Sequence, residues 1–236
     1  TGDSNIGVGE RAGCGLTTGN GNIIIGQGAG QGTLTGHCNV SVAYQGFTAL
    51  TSGSHNVTIG TQPLFSVTTG DDNVAIGRRA LFSNTTADAN VGVGSFALNS
   101  NTTGAKNTGV GKSSLATNST GDCNTAVGVD ALTNSETANN NTALGVSALS
   151  SNTSGGENVG IGKCALFTNT TASNNVAVGE IALRLNTTGA NNTAIGRGSL
   201  ASNTTGSKVT ALGVSALHNN TTADNNVAIG CGALLT

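Results

Sequence analysis

One feature governs this sequence: a 17-residue unit occurs fourteen times in register without insertion or deletion, thirteen times in full and once over residues 226–236. Each copy begins with an asparagine, called position 1 below, followed by an apolar–small–apolar–glycine run. An invariant period means that every copy meets its neighbours in the same way, which stacking achieves. The position-1 residues are Asn5, Asn22, Asn39, Asn56, Asn73, Asn90, Asn107, Asn124, Asn141, Asn158, Asn175, Asn192 and Asn226, and Val209 replaces the asparagine once.

The repeat favours strands over helices. Its consensus carries glycine at two places and β-branched residues at others, and a helix-pair repeat usually needs about 30 residues or more. We therefore predict an all-β fold, a parallel β-solenoid of about fourteen 17-residue rungs that forms a single segment over residues 1–236. The rungs are less regular over residues 1–60 and regular over 61–236. Because the chain starts without Met, we expect a segment of a longer protein.

Within a rung, positions 2 and 4 are apolar or Thr and alternate with a small residue at position 3, the period-two pattern of a strand. We predict that positions 2 and 4 face inward, that Gly at position 5 turns the chain, and that a second short strand carries Leu at position 9. Two short sheets around a thin core would result. The predicted core residues are Val74, Ile76, Leu81, Val93, Leu98, Val127, Leu132, Ile161, Leu166, Val178, Leu183, Ile195, Leu200 and Ile229.

Two columns of asparagine run through the repeats, one at position 1 and one at position 12. Stacked Asn amides bond to each other and to turn backbone at the strand spacing, so they satisfy polar groups that the bends leave unpaired. We therefore predict asparagine ladders as the main structural device. The position-12 column consists of Asn84, Asn101, Asn118, Asn152, Asn169, Asn186, Asn203 and Asn220.

The thin core also bears on assembly. We predict that the small residues at position 3 point away from the coil's core, where they let another backbone approach closely. About three apolar residues per rung are also few for a stable core. We expect a homo-oligomer, with a trimer favoured. The alternative is that small residues only ease a tight coil.

Composition excludes several partners. Only 8% of residues are charged and the net charge is −2, so there is no basic footprint for nucleic acid or anionic lipid. No apolar run approaches the ~18 residues of a membrane span. We predict neither nucleic acid nor a membrane as a partner. The cysteines, Cys14, Cys38, Cys123, Cys164 and Cys231, are odd in number and form no CxxC pair, which does not indicate a disulfide framework.

One column brings reactive residue types together. Cys38, His55 and Asp72 occupy position 17 of successive rungs, which offers a thiol, an imidazole and a carboxylate for a nucleophile or a metal. The same position holds Ala89 and Lys106 elsewhere, as expected of an unconstrained solvent-facing turn. The interpretation as a solvent-facing turn is favoured, and we predict no catalytic residue and no metal site.

Glycine patterns typical of nucleotide sites also appear. Residues 7–12 and 92–97 fit GxGxxA, and residues 111–113 resemble part of a phosphate loop. They are the rung consensus, no helix is predicted after them, and the recurring Asp of calcium-binding β-rolls is lacking. We predict no cofactor and no enzymatic activity. A polysaccharide depolymerase is disfavoured because carboxylates are sparse and unpaired.

Surface residues leave two further alternatives open. The paired threonines at positions 13 and 14 suggest an ice-binding surface. Adjacent strand residues point to opposite sides, however, so at most one of the two threonine columns is exposed. Phe65, Phe82 and Phe167 at position 10 are candidates for contact with a receptor or glycan, although packing in an oligomer is favoured. Asn-x-Thr sequons recur at position 12, but glycans about 5 Å apart would not fit, so we interpret these asparagines as structural.

The repeats of residues 73–89, 175–191 and 192–208 resemble those in bacteriophage tail fibres. The motif from position 1 to position 5 is similar to the head repeat of trimeric autotransporter adhesins, from which this chain departs by its longer rung. The resemblance implies a trimeric surface fibre, extracellular on a virion or cell, with a host receptor or glycan bound through another region. The expected function is a structural segment of a phage tail fibre used in host attachment. The alternatives are a cell-surface adhesin, a self-assembling extracellular filament and, lower, an ice-binding solenoid.

Overall fold

A computed structural model describes residues 2–235 and shows an all-β parallel solenoid, with no helix among these residues. Two compact units share the chain, one ending at Thr120 and the other beginning at Gly121. Each rung contributes one short strand. The first unit contains β1 (Ile6–Val8), β2 (Ile23–Ile25), β3 (Val40–Tyr44), β4 (Val57–Thr61), β5 (Val74–Ile76), β6 (Val91–Val93) and β7 (Thr108–Val110). The second contains β8 (Thr125–Val127), β9 (Thr142–Leu144), β10 (Val159–Ile161), β11 (Val176–Val178), β12 (Thr193–Ile195), β13 (Thr210–Leu212) and β14 (Val227–Ile229).

Strand pairing confirms the predicted stacking. Within each unit the strands pair in parallel and in chain order. Each residue lies opposite its counterpart 17 positions away, as where Val74 pairs with Val91 in β5 and β6. The same offset recurs in the second unit, where Val176 pairs with Thr193. The repeat period is therefore one complete turn of the solenoid.

The strands face the opposite way from the prediction. Ala75 and Ala177, both at position 3, are completely buried, whereas the flanking positions 2 and 4 are only partly covered. The predicted core residues at positions 2 and 4 therefore point outward; they are Val74, Ile76, Val93, Val127, Ile161, Val178, Ile195 and Ile229. The predicted core leucines at position 9 are buried; they are Leu81, Leu98, Leu132, Leu166, Leu183 and Leu200.

The thickness of the coil explains this orientation. A Cβ added to Gly92, at position 3 of β6, would lie 3.3 Å from Cγ of Leu81 in the preceding rung. The leucine at position 9 thus reaches across to the inner side of the strand, and little space remains there. Small residues at position 3 fit this space, so the larger Val, Ile and Leu side chains occupy the outer side.

The predicted second strand is also wrong. Position 9 lies in a turn, where Leu81 and Leu98 adopt φ of 50° and 51°. This left-handed conformation recurs at positions 7 and 17, as at Arg79 and Asp72. Such φ values cost free energy for residues with a Cβ. Each rung is thus one strand followed by a series of tight turns. Among the described residues the strands form a sheet from position 2 onward, and no second sheet forms at position 9.

Glycine at position 5 begins the first corner, as predicted. Gly77 has φ of 128°, and an added Cβ would lie 2.6 Å from the carbonyl oxygen of Gly94 in the next rung. Both its backbone conformation and the close approach of the next rung require glycine there. Ala43 is the exception at position 5, and its strand continues through it to Tyr44, as the next strand continues through Gly60 to Thr61.

Candidate functional surfaces

The asparagines at position 1 form an internal ladder within each unit, interrupted in the second unit at Val209, which confirms the predicted ladder. The backbone N–H of Asn39 donates to Oδ1 of Asn22 at 2.9 Å, and that of Asn56 donates to Oδ1 of Asn39 at the same distance. The amide of Asn39 also donates to the carbonyl of Gly53, at position 15 of its own rung, at 2.9 Å. One side chain therefore joins two rungs and closes its own coil.

A second ladder at position 12 meets the first one at a shared carbonyl. Nδ2 of Asn101 donates to Oδ1 of Asn84 at 2.9 Å and to the carbonyl of Gly104 at 2.8 Å. That carbonyl also accepts a hydrogen bond from Asn90 of the first ladder, at 2.9 Å. The second unit repeats the arrangement. Paired amides thus cross the interior of a regular rung, where a conventional fold would place apolar side chains.

Two substitutions interrupt these ladders. The backbone N–H of Val209 still donates to Oδ1 of Asn192 at 2.9 Å. Its side chain has no amide, however, so it offers no acceptor to the backbone N–H of Asn226 in the next rung. Ser135 replaces the asparagine at position 12, and its Oγ is buried without a hydrogen-bond partner. The hydroxyl is too short to reach the acceptors that an Asn amide reaches.

The column of reactive residues lies at an exposed corner. Cys38, His55 and Asp72 all adopt left-handed φ at position 17. Nδ1 of His55 lies 3.8 Å from Oδ1 of Asp72, with both side chains more than 60% exposed. The neighbouring Asp71 accepts a hydrogen bond from the backbone of Ser54 at 2.7 Å. An exposed ion pair of this kind contributes little to stability, and no pocket formed by the described residues encloses it. This environment agrees with a solvent-facing turn.

Other predicted patterns fall on ordinary parts of the rung. Residues 7–12, 92–97 and 111–113 lie in strands and the corners after them, with no helix following. Within residues 2–235 no cluster of His, Cys, Asp and Glu suits a metal ion, and no pocket is present. The five cysteines are free thiols at the surface or partly covered.

The threonines at positions 13 and 14 have different environments. The hydroxyl of Thr85, at position 13, donates to the carbonyl of Thr102 in the next rung at 3.2 Å, and Thr187 and Thr204 repeat this at 2.9 Å. The position-14 threonines, such as Thr86 and Thr205, are exposed. One rank of Thr is therefore displayed and the other holds rungs together.

An exposed apolar stripe follows from the reversed strands. Its members are outward side chains at positions 2 and 4, together with valines at position 6. In the second unit Val127, Leu144, Ile195 and Leu212 are between 36% and 42% exposed. The period-two pattern predicted these residues to lie in the core, and no feature of the sequence indicated the surface that they form.

A cluster of rings and guanidinium groups lies on the first unit. The rings of Phe65 and Phe82 stack with centroids 5.1 Å apart and planes at 9°. Cζ of Arg79 lies 4.1 Å from the centroid of Phe82, and Cζ of Arg78 lies 4.5 Å from that of Phe96. Arg79 and Phe96 both occupy position 7, which lies at the same edge of the coil as position 10. They therefore lie close to the stacked pair of Phe65 and Phe82. Phe65 and Phe82 were candidates for contact because they share position 10, whereas the approach of the two arginines was not predicted.

Comparisons with known proteins add no identity. The sequence matches no protein-family model, and no curated protein matches it. Across residues 2–235 there is also no helix with the length and apolar character to cross a membrane. The resemblance to fibre repeats therefore rests on the repeat motifs.

Proposed function

We propose that this chain is a structural segment of an elongated extracellular surface fibre, most simply a phage tail fibre that serves host attachment. The observation that carries the proposal is the two-ladder rung. Each regular rung adds one strand, about 4.8 Å of length, and the same set of buried hydrogen bonds. A repeat that extends in one direction by identical bonded steps suits a spacer between a base and a binding tip better than it suits a catalyst.

The fibre proposal includes a homo-oligomer, with three chains favoured. The earlier reason for it, small residues facing outward, does not hold because those residues line the interior. Support comes instead from the exposed stripe, which repeats a column of Val, Ile and Leu along the strands of each unit. Parallel association of identical chains would cover the same residue of every copy with its equivalents, which symmetric oligomers do.

Sedimentation equilibrium tests the oligomer. The expected mass is three times the 22.9 kDa of one chain. Leu144→Lys combined with Ile195→Lys should give single chains, because burying a charge in an apolar interface costs several kcal/mol. Asn140→Lys, at the exposed position 17, is the matched control and should leave the mass unchanged. A monomeric wild-type chain at micromolar concentration would contradict the oligomer.

Immunogold labelling tests the biological role. Antibodies against the purified chain should label the tail fibres of virions from the source culture. Label on cell envelopes would favour the adhesin, and label on free filaments would favour the self-assembling alternative. Label on neither structure would contradict the surface-fibre proposal.

The displayed Thr rank keeps ice binding as a second candidate. Thr86 and its counterparts at position 14 are exposed and repeat once per rung, which is the kind of regular array that such binding requires. Thermal hysteresis of the purified chain would support this function. Freezing behaviour equal to that of an inert protein at the same concentration would remove it.

A further inference from the structure

The ring and guanidinium cluster departs from the surface pattern that the other rungs repeat. Here the edge patch is defined as Phe65, Arg78, Arg79, Phe82 and Phe96. It contains three of the five phenylalanines and two of the five arginines of the chain. Because the solenoid repeats its geometry at every rung, this concentration arises from side chains alone and is not required by the backbone.

The patch is continuous across three rungs. Phe65 stacks on Phe82, Arg79 covers Phe82, and Cζ of Arg79 also lies 5.9 Å from the centroid of Phe96. Arg78 covers Phe96 at 4.5 Å. Rings and guanidinium groups therefore alternate along one edge, each supporting the next. Cation–π contacts of this kind hold the arginine side chains in place before any ligand arrives.

The charge of the patch is uncompensated. Positions 5 to 11 of its rungs and of the next one, residues 60–66, 77–83, 94–100 and 111–117, contain Arg78, Arg79 and Lys112 but no Asp or Glu. Neither arginine of the patch pairs with a carboxylate among residues 2–235. Nε of Arg79 is enclosed without a hydrogen-bond acceptor. A local positive site thus exists on a chain whose net charge is −2.

We propose that the edge patch binds an acidic polysaccharide. Neither guanidinium group of the patch has a carboxylate partner in the described part of the chain, so its terminal N–H groups are available to an anion, and planar guanidinium binds carboxylate and sulfate through two hydrogen bonds. The partly exposed phenyl rings beside the two arginines offer apolar surface to the C–H faces of sugar rings. Nucleic-acid binding usually needs a broad basic surface, whereas the patch supplies two arginines on a chain whose net charge is −2. This arrangement favours a glycan over a nucleic acid.

Affinity electrophoresis in gels containing a polysaccharide tests the proposal. The probes are alginate for carboxylates, dextran sulfate for sulfates, and neutral dextran; single-stranded oligo(dT) is the competitor. The wild-type chain should be retarded by alginate or dextran sulfate and not by neutral dextran. The anion that retards more strongly identifies the acidic group, and salt should weaken the binding.

Substitutions that introduce the residue found at the same position of another rung should keep the fold intact. Arg78→Thr with Arg79→Gln copies Thr61 and Gln62 at the same positions one rung earlier. We expect it to weaken retardation at least tenfold. Phe82→Ala copies Ala116 at position 10 and should weaken it severalfold, since the support of Arg79 is lost.

Matched controls lie in the second unit. Arg197→Thr removes an arginine from position 6, and Phe167→Ala removes a phenylalanine from position 10. Both should bind as the wild type does. Equal weakening by Arg197→Thr would indicate unspecific attraction to a polyanion and overturn the proposal. Absence of retardation, stronger binding to oligo(dT), or a change of oligomer mass in the Arg78→Thr/Arg79→Gln variant would also overturn it. The result is independent of whether the chain labels virions or cells.

Discussion

Rung 2 (residues 22–38) and rung 5 (residues 73–89), counted from the first rung at Asn5, build the same coil around different interiors. In rung 5, Leu81 at position 9 fills the interior and lies beside the small residue at position 3 of the next rung, Gly92. In rung 2, position 9 is Gly30, and Ile24 at position 3 fills the space instead. A Cβ on Gly30 would lie 3.2 Å from Cγ2 of Ile24. The volume has moved from one side of the interior to the other, while the asparagine at position 1 is kept. The coil thus depends more on its ladder than on the identity of its apolar filling.

Rungs with one asparagine ladder and rungs with two should differ in how well they tolerate loss of the position-1 asparagine. The largest predicted effect tests this difference in rungs 3 and 6. In rung 3, Asn39 alone supplies the hydrogen bond to the carbonyl of Gly53. In rung 6, the carbonyl of Gly104 accepts from both Asn90 and Asn101. Asn39→Ala should therefore lower the free energy of unfolding by about 4 kcal/mol and Asn90→Ala by about 2–3 kcal/mol, since each buried group left unpaired costs about 1–3 kcal/mol.

Urea unfolding followed by circular dichroism measures both values. Thr86→Ala, at the exposed position 14, is a control with an expected change below about 0.5 kcal/mol. Equal losses for Asn39→Ala and Asn90→Ala would contradict the idea that the second ladder supports the first.

The relocated core predicts a coupled pair of substitutions. Gly30→Leu alone should cost about 1–3 kcal/mol by overpacking against Ile24, and Ile24→Ala alone about 2–5 kcal/mol by leaving a cavity. Together they recreate the filling of rung 5, and φ of Gly30, 64°, is close to that of Leu81. The double variant should be more stable than the sum of the single changes predicts, by about 2 kcal/mol. Additive losses in the thermodynamic cycle would show that the two interiors are not interchangeable.

The smallest effect is a predicted gain. Ser135→Asn supplies an acceptor for Nδ2 of Asn152, equivalent to the 2.8 Å bond that Asn169 makes to Asn152. Removing the unpaired Oγ of Ser135 and adding this bond should raise the free energy of unfolding by about 1 kcal/mol. Ser151→Asn is the control, because position 11 already holds asparagine at Asn134. A loss of stability would mean that rung 8 has adapted to the shorter side chain.

Much of this fold was predictable because a fixed repeat restricts the chain to few arrangements. The 17-residue turn, the parallel pairing and the asparagine ladders follow from requiring each residue to meet its counterpart. The direction of the strand side chains was not predictable in this way. A period of two separates Val74 and Ile76 from Ala75, but it does not show which set faces inward. That choice depends on the space left by Leu81 across the coil.

The corners and the edge patch depended on still finer features. Leu at position 9 suggests a strand, since leucine seldom adopts left-handed φ, yet Leu81 does so in a conformation held by its neighbours. The approach of Arg79 to Phe82 depends on the corner at position 7, which has the same conformation. Without knowing that corner, sequence spacing alone could not bring position 7 to position 10 of the same rung.

The left-handed corners also bear on how such a chain folds. A regular rung holds side-chain-bearing residues in this conformation at positions 7, 9 and 17, as at Arg79, Leu81 and Ala89, and each costs roughly 1–2 kcal/mol. An isolated rung has no stacked partner to offset this cost and would remain unfolded. Several rungs must therefore close together to form a nucleus, after which each new rung adds onto a finished template. Growth of this kind proceeds outward from a seed, and its slow step is the formation of that seed.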